Sequence, residues 1–142
     1  MKSKYKGFSL IEIIFSIMII SILASIAIPK FMDISLKTTL LKAKNDMIVI
    51  QNALNNFHNN NILKNSLTTL DSLDEDKYLF SKILTKPFIS KEKTSSFWSK
   101  ESNTIYYFWI SSSKNIKFTY NKDNFTFVCN KDDKNCKKIL DL

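Results

Sequence analysis

Arginine is absent from this chain; all 21 basic residues are lysines. Arginine supplies the usual bidentate contact to guanine edges and often to phosphate. Its absence weakens a sequence-specific nucleic-acid reading and leaves only loose lysine attraction to DNA. Asparagine, isoleucine and phenylalanine are abundant, so the lysines reflect a composition bias as much as a selected basic face. Glycine occurs once, at Gly7, so no glycine-rich loop can cradle a phosphate. Histidine also occurs once, at His58, flanked by asparagines and read as a solvated surface residue. No Ser/His/Asp or Cys/His arrangement follows, so neither catalysis nor a cofactor is expected. The only cysteines are Cys129 and Cys136. Without further thiols they make a poor metal site, whereas a close, even pair suits a disulfide in an oxidising compartment. The acids Asp132 and Asp133 between them read as a solvated turn rather than a calcium loop.

What is present suits one modest domain. The chain has 142 residues, 44% hydrophobic and 13% aromatic, which argues against disorder. Its formal charge is +8, from 21 basic and 13 acidic residues. Residues Met1 to Gly7 carry Lys2, Lys4 and Lys6. Phe8 to Ile28 follows, an apolar run whose one charge is Glu12. As a helix it spans roughly 32 Å, the thickness of a bilayer core. The preceding lysines place the N-terminus in the cytoplasm and send the remainder outward.

Glu12 separates three readings of this run. A secretory signal peptide would be cut after it, near Ser25-Ile26-Ala27. An ordinary single-pass anchor would not be cut. Neither has a reason to accept an acid that costs about 2–3 kcal/mol in lipid. A cut between Gly7 and Phe8 supplies the reason. Phe8 then carries a charged amine, and Glu12 lies one helical turn away, where the helix dipole also favours negative charge.

The stretch Lys6-Gly7-Phe8-Ser9-Leu10-Ile11-Glu12 resembles the cleavage and methylation motif of type IV pilins and type II secretion pseudopilins. The resemblance implies cleavage after Gly7 by a prepilin peptidase, which then methylates the amine of Phe8. Glycine fits such a cut because its backbone can lie extended and close to a protease. It implies that Glu12 pairs with the amine of an adjacent subunit during assembly, and that Pro29 bends the helix. It also implies that the Cys129–Cys136 pair is the C-terminal disulfide loop of many pilins. Ser21 and Ser25 form a small-xxx-small pair for helix packing, or simply bond their own backbone.

Beyond Pro29, Leu36, Leu40, Ala43, Met47, Ile50, Leu54 and Phe57 share one helical face. With strands downstream, that face is expected to cover a sheet, and the helix to end near Asn59-Asn60-Asn61. Residues 62–95 read as a connection. Ser72 and Glu75 suggest a capping box for a short helix through Tyr78, Leu79, Phe80, Ile83 and Leu84, ended by Lys86-Pro87. Strands are expected at Thr104 to Ile110, Asn115 to Tyr120 and Phe125 to Cys129, with an edge strand at Ser96 to Lys100 and a turn at Asn121 to Asn124. Trp98 and Trp109 are expected to pack in or on the sheet.

The expected class is therefore α+β: a long N-terminal helix, its first half transmembrane, on a small antiparallel sheet. Residues 1–7 are a leader, 8–28 the transmembrane half, and 29–142 a periplasmic head. The expected function is a structural subunit, a minor pilin or pseudopilin, of a type IV pilus, type II secretion or competence-type filament. Its partners would be prepilin peptidase, other pilins, an inner-membrane assembly platform and the lipid bilayer. DNA stays open as a partner because, without its three leader lysines, the side chains sum to +5. The remaining rival is a soluble periplasmic protein released by signal peptidase.

Overall fold

The computed structural model describes residues 7–66, 68–75, 78–91 and 94–141; the leader lysines Lys2, Lys4 and Lys6 lie outside them. The chain divides into two units, Met1–Leu36 and Lys37–Leu142. Helix α1, Leu10–Leu63, runs from the first into the second and contains Pro29.

In the first unit, Ser9 starts the helix by accepting at its carbonyl from the N–H groups of Glu12 (3.1 Å) and Ile13 (3.3 Å). Large apolar side chains face outward all round, from Phe8 at 80% exposure to Ile34 at 59%. The serines turn inward on their own backbone. Ser16 donates to the Glu12 carbonyl at 2.8 Å, Ser21 to Ile17 at 2.6 Å and Ser25 to Ile22 at 2.7 Å. Such bonds hide the hydroxyls from an apolar surrounding.

In the second unit, the helix buries Thr39, Leu40, Ala43, Ile50 and Leu54, with Met47 and Phe57 partly covered. This is the expected stripe, laid on a sheet. Leu36, its first member, stays 39% exposed. The helix continues two residues past Asn59-Asn60-Asn61, to Leu63, because the low helix propensity of asparagine is a weak force. It stops at Asn65, which takes a left-handed φ of 51°. Ser66 N–H then bonds the Asn61 carbonyl and Asn65 N–H bonds Ile62, the two closing bonds of a Schellman cap.

The sheet is an antiparallel meander of β3 (Phe97–Lys100), β4 (Ile105–Ser111), β5 (Lys114–Asn121) and β6 (Thr126–Cys129), in that spatial order. Inward residues alternate with outward ones, so Tyr106, Phe108 and Ile110 of β4 are buried while their neighbours are half-buried. All four strands fall where the β-branched and aromatic runs predict them.

The connection departs from expectation. Residues Tyr78 to Leu84 form no helix. Instead β1 (Tyr78–Leu79) pairs with β2 (Phe88–Ile89), and a turn lies between them. Helical bonding is diverted by side chains: Asp74 accepts the Phe80 N–H at 2.7 Å, and Ser81 Oγ accepts the Glu75 N–H at 2.7 Å. Phe80 has a φ of 62°, which no right-handed helix contains. That strain places its ring in the core, against Phe88, Trp98, Tyr106 and Phe127 at centroid distances of 4.8–5.6 Å.

A second helix, α2 (Lys134–Leu140), was also unexpected. Asp133 is its N-cap, accepting from Asn135 N–H at 2.6 Å and Cys136 N–H at 3.2 Å. Of the pair read as a solvated turn, Asp133 is thus a structural cap. A disulfide joins Cys129 at the end of β6 to Cys136 on α2, with Cα atoms 5.8 Å apart.

Candidate functional site

Two surfaces could carry function, one in each unit. The first is the start of α1. Gly7 and Phe8 precede the helix, and Glu12 lies exposed in its first turn. A Cβ added at Gly7 would meet nothing within 4 Å, and its φ is not positive. Folding therefore does not require glycine at the one position that has it. Burying a Leu, Ile or Phe side chain is worth about 1.5–3 kcal/mol. A helix exposing such residues on every side from Leu10 to Ile34 demands an apolar surrounding. It is long and apolar enough to cross a bilayer.

Within the second unit, three polar links lock helix, connection and sheet together. Trp98 donates its indole N–H to Asp46 Oδ2 at 2.9 Å. Burial raises the carboxyl of Asp46 above its usual range, opposed by that bond and by Lys42. Gln51 clasps the outer edge of the sheet near β6. It donates to the Phe125 carbonyl at 2.9 Å and accepts the Phe127 N–H at 2.7 Å. Asp74 is buried, accepting from Tyr106 hydroxyl at 2.7 Å and paired with Lys100 at 2.9 Å. Burial, then the carboxylate of Asp74, drives the Tyr106 phenol far above its ordinary pKa. None of these links was legible in the sequence; each joins residues at least 32 positions apart, except the Asp74–Lys100 pair at 26.

The outward face of the sheet carries three half-buried rings, Phe97, Tyr107 and Trp109. Phe97 stands directly opposite Trp109, and Tyr107 opposite Lys117. Trp109 donates to Ser99 Oγ at 2.8 Å, and Tyr107 to Glu101 Oε2 at 2.9 Å. That bond, ahead of slight burial, raises the Tyr107 phenol. The ammonium groups of Lys42 and Lys91 lie 5.2 and 4.7 Å from the centre of the Phe97 ring. Trp98 is in the core and Trp109 on the sheet, as expected.

His58 is exposed, its ring 4.6 Å from that of Phe125. Among the described residues no three His, Cys, Asp or Glu side chains gather as a metal site. An apolar groove lies between α1, β6 and α2, lined by Met47, Ile48, Phe127, Val128 and Leu140.

Residues 2–28 match a family described as the prokaryotic N-terminal methylation motif. That motif is the signal of type IV pilins and pseudopilins. No curated protein matches the chain, and no solved structure does. The motif supports a type IV pilin-like subunit.

Proposed function

We propose that this chain is the precursor of a minor pilin or pseudopilin, a structural subunit rather than a catalyst. The methylation motif at residues 2–28 is the observation that carries this reading. Prepilin peptidase cuts after Gly7 and methylates the amine of Phe8. The open space around Gly7 supports the assignment, since the fold itself gives no reason for glycine there. Residues 1–7 are then the leader, 8–28 the membrane-embedded half of the helix, and 29–142 the periplasmic head. The apolar surface from Leu10 to Ile34 supports residence in an inner membrane, spanned once with the N-terminus cytoplasmic. An assembly platform draws the subunit out of lipid and stacks its helix against those of other pilins. Lipid is replaced by neighbouring helices, and an apolar face all round suits both surroundings.

Glu12 sets the register. Its carboxylate meets the new amine of an adjacent subunit, a pairing strengthened by the low dielectric. Pro29 lacks the N–H that would bond the carbonyl of Ser25, so it is the point at which the helix can flex. The Cys129–Cys136 disulfide supports an oxidising, extracytoplasmic head. The machine served is a type II secretion, type IV pilus or competence-type filament.

Mass spectrometry of the mature N-terminus tests the reading. A methylated Phe8 is expected. A start at Ile28 would indicate signal-peptidase release and overturn it.

A further inference from the structure

We propose that the cleft between α1 and the β1–β2 turn binds an extended polypeptide segment, its backbone held by Asn52, Asn56 and Asn60 and one of its acidic side chains by Lys82. The cleft measures about 460 Å³, within the size range of ligand sites. Phe57, Ile83 and Leu84, all half-buried, line its apolar part. The three asparagines line it from α1 and Lys82 from the turn, and all four are exposed. Among the described residues, none of the three carboxamides takes part in a hydrogen bond. Asparagine is a poor helix former, so α1 itself gains nothing from the row.

A carboxamide row of this spacing fits an extended backbone. Residues four apart on a helix stand about 6.7 Å apart along their inclined row. The N–H and C=O groups on one edge of a strand recur every two residues, also at about 6.7 Å. Each asparagine offers an acceptor and two donors, so it can bridge a carbonyl and the N–H two residues on. Gln51, on the same helix, already makes this contact. It donates to the Phe125 carbonyl and accepts from the Phe127 N–H, two residues along. A partner helix bonds its backbone groups internally and has none to offer the row, so the occupant is extended. Charge adds selectivity. Among the described residues lining the cleft, Lys82 is the one charged group. Asp71, an acid close enough to interact with Lys82, is itself paired with Lys122 at 2.9 Å.

The test applies the full chain, in detergent micelles, to an array of random-sequence hexapeptides. Binders are expected to be rich in β-formers and to share an acidic residue. Fluorescence anisotropy then measures the strongest hexapeptide. Asn56→Ala with Asn60→Ala is expected to weaken its binding about tenfold through the lost hydrogen bonds. Lys82→Gln is expected to remove the preference for an acid. All three sites are exposed and alanine is the better helix former, so these changes spare the fold. N-methylation of alternate backbone nitrogens of the hexapeptide is expected to abolish binding in one register and spare it in the other, because only one strand edge faces the row. An array without binders, unchanged affinity in the double asparagine variant, or indifference to N-methylation would overturn the proposal. So would self-association of the chain that is lost in that variant, which would give the cleft to a second copy.

Discussion

Asp46 on α1 accepts the indole N–H of Trp98 on β3 at 2.9 Å, tying helix to sheet through a half-buried carboxylate. Burial raises the Asp46 carboxyl above its unfolded value. The folded head therefore holds this proton more tightly than the unfolded chain does. Its contribution to stability is full below about pH 4, the ordinary aspartate range, and is lost as pH rises through the raised folded-state value. Asp46→Asn keeps an acceptor for Trp98 and removes the titration. Urea melts across mildly acidic to neutral pH are expected to show a flatter profile for the variant and a gain at neutral pH. An unchanged pH profile would contradict the assignment.

Asp74→Ala is expected to destabilise the head by about 3–5 kcal/mol, because it strips a buried pair of one partner. The Phe80 N–H loses its acceptor, the Tyr106 hydroxyl keeps only the Asn103 carbonyl at 3.4 Å, and the Lys100 ammonium keeps only Ser72 Oγ at 3.2 Å. Tyr106→Phe removes only one of these bonds and is expected to cost about 1 kcal/mol. Chemical denaturation measures both. Limited proteolysis of Asp74→Ala should open the chain around Tyr78–Ile89 first.

Reduction of Cys129–Cys136, or the double Cys→Ser variant, is expected to lower stability by about 2–3 kcal/mol in the chain-entropy view. Asp133→Ala is expected to cost about 1 kcal/mol through loss of the α2 cap. Both act on α2, so combining them should cost less than the two effects added. Thermal unfolding under oxidising and reducing conditions provides the comparison.

Glu12→Ala is expected to leave cleavage and methylation at Phe8 intact while impairing filament assembly. The carboxylate is exposed at the helix start, where the helix dipole favours it, and among the described residues it takes part in no hydrogen bond or ion pair. Mass spectrometry reads the processing, and electron microscopy of sheared fractions reads the filaments. Normal filaments from the variant would remove the register role from Glu12.

Local chemistry determined much of this protein. A lone acid and a lone glycine bracket Phe8, and no tertiary contact is needed to see what that pattern offers a peptidase and a neighbouring amine. Period-3.6 spacing likewise located the second half of α1, and period-2 spacing together with β-branched and aromatic runs located the strands of the meander, because burial on one face imposes such patterns on the sequence. What only the tertiary structure decided is the connection between helix and sheet. Leu79, Phe80, Ile83 and Leu84 are spaced as well for a helix as for a tight turn that drops one ring into the core. The choice falls to Asp74 and Ser81, which capture backbone N–H groups six residues away in either direction. Asp74 itself is held by Tyr106 and Lys100, from strands the linear order does not bring near it. Spacing along the chain reports which face is buried. It does not report which distant donor will satisfy a buried carboxylate, and that donor is what selected the turn.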